Sequence, residues 1–416
     1  MRRIGIIGAG QAGLYLGISL LEAGYRVTLF SEYTPEAILA SKPISTTMLM
    51  PDALELERNL GLNFWDDDSP SCEEIHSNIS DADGNLILVM SNILEKPWQA
   101  VDQRLKFSRW MQEFVCRGGE LVIQKMTPLE LDQCAPNYDL VLVSVGKGSL
   151  SSLFEQDVQK SDHDKPKRHI AGGIFTGLKE DFSAFKVTNI FGVGEIMLFP
   201  FYHKDKKPAF AVGFEAYPGG VMDRFLGVQS GQELLELSKQ VIQELTPWNY
   251  EIVENMELTD DKDWLCGAIT PTVRHAIAHL PSGATVMGIA DTVILHDPIA
   301  AQGGNNALKM AHLVTQRMIE HGNLKFDESW MQAVFAEFWE YAQYANALAD
   351  CLLTPTPFLQ NILAAMAENP EIARDYFQGF NHPPSLFPWF FDAEECQKYL
   401  ARKNSRTVES NYVAIL

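Results

Sequence analysis

The chain is short of positive charge: 33 Lys and Arg stand against 54 Asp and Glu in 416 residues, a formal charge of −21. Such a surface repels a polyanion rather than steering it in, so nucleic-acid binding is not expected. The six cysteines (Cys72, Cys116, Cys134, Cys266, Cys351, Cys396) include no C-x-x-C pair and no metal-finger spacing, which points to free thiols in a reducing, cytoplasmic setting. No stretch offers about 18 apolar residues without a charge, so no membrane span is expected. Arg2 and Arg3 before an apolar run imitate a secretory signal, but Gln11 and Glu22 interrupt that run. Internal repeats and low-complexity tracts are missing too. What is present, 46% hydrophobic and 21% charged residues, suffices for two or three domains with cores of their own and removes the disordered and fibrous classes.

Residues 3–30 read as strand, glycine turn, helix and strand, a βαβ start. The apolar runs 139–145 and 285–289 have the bounded character of buried parallel strands and are expected to join the same sheet. Between roughly 166 and 274 the pattern changes to short pieces such as 187–193 and 209–214 set between Gly and Pro turns, which predicts an inserted, mostly antiparallel layer. From about 303 onward apolar residues recur at helical spacing, as in Ala307, Met310, Ala311, Val314 and Met318. The acidic runs 66–68 and 260–263 read as solvated loops rather than metal sites. His275 and His279, four apart without a carboxylate partner, read as structural, so no metal site is expected.

Gly8-Ala-Gly10-Gln11-Ala12-Gly13 follows the first strand and opens the first helix, the context that gives a G-x-G-x-x-G match its meaning. Gly8 permits the tight turn, Gly10 lets the backbone approach a pyrophosphate, and Gly13 lets helix and strand pack closely, while the helix N-terminus offers N–H groups to the anion. Glu32 ends the second strand about 20 residues later, where a carboxylate accepts bonds from ribose hydroxyls. FAD and NAD both satisfy this half. A second glycine site lies far down the chain: Asp291 ends a strand, and Asp297-Pro298-Ile-Ala-Ala-Gln302-Gly303-Gly304-Asn305 leads into a helix. Such a loop suits a second phosphate-linked chain and an anionic flavin ring. One nucleotide-binding half at each end of the chain favours one long ligand, FAD.

These motifs, together with Ala100-Val-Asp102-Gln-Arg104-Leu105 and residues 139–146, resemble the flavoprotein monooxygenases, and most closely the FAD-dependent epoxidase component of the styrene and indole monooxygenases. The likeness extends to Gly379-Phe-Asn381-His-Pro383, which is similar to an Asn-Phe-Asn-Tyr-Pro stretch in styrene enzymes. Two departures stand out: Ala290 and Ala301 occupy positions where the family has Gly, and a Cβ at either narrows the approach to the ligand.

The resemblance implies an α/β fold: a Rossmann-like FAD-binding domain of the p-hydroxybenzoate hydroxylase type (1–70, 98–165 and 275–330), an inserted antiparallel β-sheet substrate domain (71–97 and 166–274) and a C-terminal helical cap (331–416). It implies that reduced FAD and O2 form a flavin C4a-hydroperoxide that epoxidises indole, or styrene, and also oxidises sulfides. Implied cofactor contacts are Gly8, Gly10, Gln11, Ala12, Gly13, Glu32, Arg104 (to the pyrophosphate, from a helix over 101–114), Asp291, Pro298, Gln302, Gly303, Gly304 and Asn305. Ser45, Pro298 and Gly303 are implied beside the reacting centre, and Ser45, Thr47, Leu49 and Trp98 along the substrate. Styrene-type members tend to carry Asn at the position of Ser45 and indole-type members Ser, while Trp98 replaces a small residue. Implied partners are a separate NADH-dependent flavin reductase, a small aromatic substrate and, by analogy, a second copy in a homodimer. The stretch Val143-Ser-Val-Gly146-Lys-Gly148 lacks the Asp-Gly of single-component, NAD(P)H-dependent hydroxylases, and no Trp-x-Trp-x-Ile-Pro halogenase signature is present. A single-component hydroxylase and a non-catalytic FAD-binding protein remain the alternatives.

Overall fold

The computed structural model describes residues 2–146, 148–354 and 357–413, with side chains described except at 357 and 404–413. Lys147 of the 143–148 stretch and the end of the 331–416 segment lie outside the described residues.

Arg3–Ile7 is apolar on every position after its first residue, as a strand covered on both faces requires. It lies at the centre of a six-stranded sheet. Across that sheet the order is Ile277–His279, Thr285–Gly288, Leu140–Val143, Arg3–Ile7, Arg26–Ser31 and Glu120–Ile123. All neighbours pair in parallel except the outer Ile277–His279. The expected strands at 139–145 and 285–289 therefore fall where the pattern put them. Helix α1, Gln11–Glu22, is buried from Gln11 through Leu20, because the sheet lies on one side and later helices on the other. Gly13 and Gly17 make this possible: a Cβ at Gly13 would lie 2.0 Å from the carbonyl oxygen of Gly8, and one at Gly17 3.0 Å from the Phe114 ring.

The second sheet has eight strands, in the order Glu257–Leu258, His169–Thr176, Pro208–Ala216, Gly194–Tyr202, Ala184–Ile190, Cys72–Ser80 and Leu86–Trp98, with Trp264–Ala268 also paired to His169–Thr176. It is antiparallel apart from the pairing of Cys72–Ser80 with Ala184–Ile190. The expected strands at 187–193 and 209–214 appear as Ala184–Ile190 and Pro208–Ala216. Helix α2, Gln103–Cys116, starts two residues later than expected, because the Asp102 side chain caps it by accepting the Arg104 N–H at 2.9 Å. The C-terminal region supplies α3 (Gln302–His321), α4 (Glu328–Leu353), α5 (Pro357–Glu368), α6 (Pro370–Asn381) and α7 (Ala393–Val413). Residues of α5 and α6 pack with the face of the second sheet that carries Ile75, Met90, Phe199 and Ala211.

In the acidic run at 260–263, Asp260, Asp261 and Lys262 are exposed as expected, and Asp263 alone departs. Asp263 is fully buried, for a reason given below. Among the described residues no group of three His, Cys, Asp or Glu side chains is arranged to hold a metal, and no helix is long and apolar enough to cross a membrane.

Candidate active site

A cavity of about 1540 Å³ opens between the two sheets. Ordinary small-molecule sites run to about 1,000 Å³, so this one has room for more than a single compact ligand. Its wall is continuous. It begins at Gly8–Ala12 and Glu32, passes Asp291, Pro298, Gly303 and Gly304, and ends among Ile75, Met90, Trp98, Phe185, Phe199 and Phe377.

At the first end, Gly8 has φ +111°, and a Cβ there would lie 2.1 Å from the carbonyl oxygen of Ser144, so only glycine makes this turn. Gly10 differs: its φ is −85°, and nothing lies within 4 Å of where its Cβ would be. Gly303, at the start of α3, is open in the same way. Both α1 and α3 begin without a side-chain cap, which leaves their first N–H groups available to an anion. Gln11 ties the two helix starts together, its Nε2 donating to the Gly304 carbonyl at 2.9 Å. Two glycine loops from opposite ends of the chain thus form one cradle. At its edge the Lys125 ammonium, 2.8 Å from Glu32 Oε1, holds that carboxyl below the usual glutamate range. Lys125 also lines the cavity and has no sequence signature of its own.

The two alanine departures sit at strained backbone positions. Ala290 has φ +51° and Ala301 φ +52°, the left-handed region that costs a Cβ-bearing residue about 1–2 kcal/mol. Ala301→Gly removes that cost and keeps part of the gain after the added freedom of the unfolded chain, so it should stabilise the protein by about 0.5–1 kcal/mol. Ala290→Gly should be close to neutral, because its methyl is buried in the core and one buried methyl contributes about 0.8 kcal/mol. Urea midpoints of the two variants check this ordering.

The far end is apolar with one polar rim. Ser45 Oγ and Thr47 Oγ1 are 2.9 Å apart, and Gln103 Nε2 donates to Thr47 Oγ1 at 3.0 Å. Thr47 also presses on the α3 loop: a Cβ at Gly304 would lie 2.4 Å from its Cγ2. Trp98 lies in the wall, 5% exposed and edge-on to Phe185.

Several expected contacts face elsewhere. Arg104 is fully buried, and its guanidinium is taken up by Asp102 and by Asp263, 2.5 Å from Nη1. It is an anchor between α2 and the loop at 260–263, not part of the cavity wall, and this pairing is what draws Asp263 inside. Gln302 donates to the carbonyls of Ala300 and Phe380, each at 2.8 Å, and Asn305 bridges the Met50 N–H and the Met48 and Ala301 carbonyls. These two position the loop from behind. Leu49 belongs to the core and pairs its backbone with Gln99, and Gly13 lies beneath the turn. The sequence reading missed Arg168, Glu195 and Glu215, all buried and all in the cavity wall. The available signal was a lone glutamate in each of two apolar strands.

A family model described as "Styrene monooxygenase A putative substrate binding domain" matches residues 146–251. Styrene monooxygenase StyA of Pseudomonas fluorescens is 24% identical over 412 residues, 96% of this chain and 98% of that protein. The StyA of a further Pseudomonas species gives the same identity and coverage. Among solved structures, the flavin-dependent brominase Bmp2 superposes with a TM-score of 0.69 at 14% identity, covering 98% of this chain and 99% of that one. The 2-methyl-3-hydroxypyridine-5-carboxylic acid oxygenase gives 0.61 at 16% identity, covering 90% and 98%. The structural likenesses carry the fold; the full-length sequence match and the domain model make the chain similar to styrene monooxygenase. Together the full-length likeness and the matched domain support a flavoprotein monooxygenase of the styrene monooxygenase type, with FAD as its cofactor.

Proposed function

We propose that this chain is the oxygenase of a two-component system, which accepts reduced FAD from a separate reductase and epoxidises a small aromatic alkene. The observation that carries the reading is the continuity of the cavity, from a dinucleotide cradle through the Pro298–Gly304 loop to an apolar chamber. Gly8, Gly10, Gln11, Ala12 and Glu32 are assigned to the adenosine and pyrophosphate half, and Asp291, Pro298, Gly303 and Gly304 to the flavin half. When bound and reduced, the flavin supplies the oxygen-activating chemistry. The chain's share is to bind, orient and exclude water. The aromatic wall of Trp98, Phe185 and Phe199 suits an arene held by its faces and edges.

Ser45 supports indole as the first choice. Its hydroxyl lies in the wall, anchored by Thr47, and can accept the indole N–H, whereas styrene offers no donor. Ser45→Ala should lower kcat/KM for indole about tenfold, the cost of one lost hydrogen bond of about 1.5 kcal/mol, and leave styrene nearly unchanged. Equal losses on both substrates would assign Ser45 to packing instead. The two-component reading is tested by supplying the purified chain with NADH or NADPH and FAD in air. No nicotinamide oxidation is expected until a flavin reductase is added; rapid oxidation by the chain alone would favour the single-component hydroxylase.

A further inference from the structure

Two glutamates stand in otherwise apolar strands on the cavity wall, Glu195 in Gly194–Tyr202 and Glu215 in Pro208–Ala216, and they are direct cross-strand partners. The guanidinium of Arg168 lies between them. Its Nη1 is 3.1 Å from Glu195 Oε1, and its Nη2 bonds Glu215 Oε2 and lies 3.2 Å from Asp297 Oδ1. Asp297 in turn accepts the Ile299 N–H at 3.0 Å, shaping the turn that carries Pro298. The side chains of Arg168, Glu195, Glu215 and Asp297 are 2, 6, 3 and 2% exposed.

Three carboxylates around one guanidinium would carry a net charge of −2 if all were ionised. Two uncompensated charges out of water cost far more than one arginine returns, and like charges directly opposite on neighbouring strands add to that cost. The cluster is relieved by keeping a proton. Burial pushes the Glu215 carboxyl up to about 8 against the pull of Arg168, with Glu195 and Asp297 adding to the rise, and burial raises Glu195 as well. The other groups facing the cluster, Tyr217 after the strand and Tyr376 on α6, are phenols that burial keeps neutral.

We propose that the Glu215–Glu195 pair stores the proton consumed by oxygenation and delivers it into the cavity beside the Pro298 turn. This rests on the monooxygenase reading, whose balance needs that proton. Reduced flavin anion, O2, an alkene and one proton give oxidised flavin, an epoxide and water. The O–O bond breaks, one oxygen forms two C–O bonds, and the other becomes water. Reduced flavin supplies both electrons and one hydrogen of that water; the second hydrogen comes from an acid, and the buried pair places one in the cavity wall.

Infrared spectra of the flavin-free chain test the stored proton without any turnover. A neutral-carboxyl C=O stretch should be present at pH 7, lose intensity as the pH rises through about 8, and be weaker in Glu195→Gln/Glu215→Gln, where Glu57 is the remaining buried glutamate raised by burial. An undiminished band in the double variant overturns the proposal. Folding takes up this proton, so wild-type stability should fall between the ordinary glutamate value of 4.5 and about 8. Glu215→Gln, which keeps the shape of the neutral acid, should flatten that fall. Delivery is read by mixing reduced-FAD-loaded chain with O2 and a pH-indicator dye. In the wild type, proton uptake from bulk should lag flavin reoxidation. In Glu215→Gln reoxidation should slow several-fold and keep step with uptake. Simultaneous uptake in the wild type, or unchanged kinetics in the variant, overturns the proposal. Reoxidation without epoxide consumes the same proton, so failure of the epoxidase reading would show separately, as missing product.

Discussion

Arg104→Met should cost about 3–5 kcal/mol of stability, because it leaves the Asp102 carboxylate buried without its guanidinium and Asp263 with only the more distant Lys204 ammonium at 3.7 Å as a cation. Asp102 and Asp263 are both out of solvent, at 2 and 0% side-chain exposure, and neither can turn to water without opening the contact between α2 and the second sheet. Asp263 is held further by His203 Nε2 at 2.7 Å and Thr259 Oγ1 at 2.6 Å. Against the cost of its burial, these bonds and Arg104 keep its carboxyl well below the usual aspartate range. A depressed carboxylate contributes stability above its unfolded value of 3.8 and loses it as the pH falls through the lower folded value. The clip is therefore intact at neutral pH and opens only in strong acid. Urea unfolding together with FAD titration separates this role from the pyrophosphate contact that the sequence resemblance implies. The midpoint should fall while FAD affinity of the folded variant is kept. A tenfold weaker FAD complex at an unchanged midpoint would restore Arg104 to the cofactor site.

Gly10→Val should do the reverse, weakening FAD binding about 100-fold, or about 2.7 kcal/mol, while changing stability by less than about 1 kcal/mol. The backbone at Gly10 is extended, with φ −85° and ψ −172°, which valine adopts readily. Its Cβ meets nothing within 4 Å, so the side chain enters the space that the α1 N–H groups face. Gly13→Ala is the contrasting case: its Cβ would lie 2.0 Å from the Gly8 carbonyl oxygen, so the turn itself has to move and stability falls with binding. Flavin fluorescence titration and urea unfolding of both variants give the two signatures.

What could be read from the sequence was whatever local rules control. Gly8–Gly13 after an apolar strand and Gly303–Gly304 at a helix start announce themselves, since short spacing alone fixes a turn and a helix N-terminus. Ala290 and Ala301 were visible only as departures, and the backbone explains them: both occupy left-handed positions that suit glycine. Pairing across the chain was not legible. Arg104 and Asp263 are 159 residues apart, and nothing local distinguishes Asp263 from its solvated neighbours at 260 and 261. Gln302 and Asn305 lie in a legible motif, yet which way each side chain turns depends on Phe380 and Met48 from distant elements. Glu195 and Glu215 stood in plain sight as charges within apolar strands, but their meaning came only when Arg168 and Asp297 were found between them and the Pro298 turn.

Single turnover with oxygen-18 is the most direct test of the central claim. The chain is loaded anaerobically with photoreduced FAD and mixed with labelled O2 in the presence of styrene or indole, with no nicotinamide and no reductase. The expected result is an epoxide carrying one labelled oxygen in a yield approaching one per flavin, or, from indole, indigo carrying two, one from each indole unit, in a yield approaching one per two flavins. Flavin that reoxidises at its free-solution rate, with hydrogen peroxide as the sole product and no label in either substrate, would contradict it.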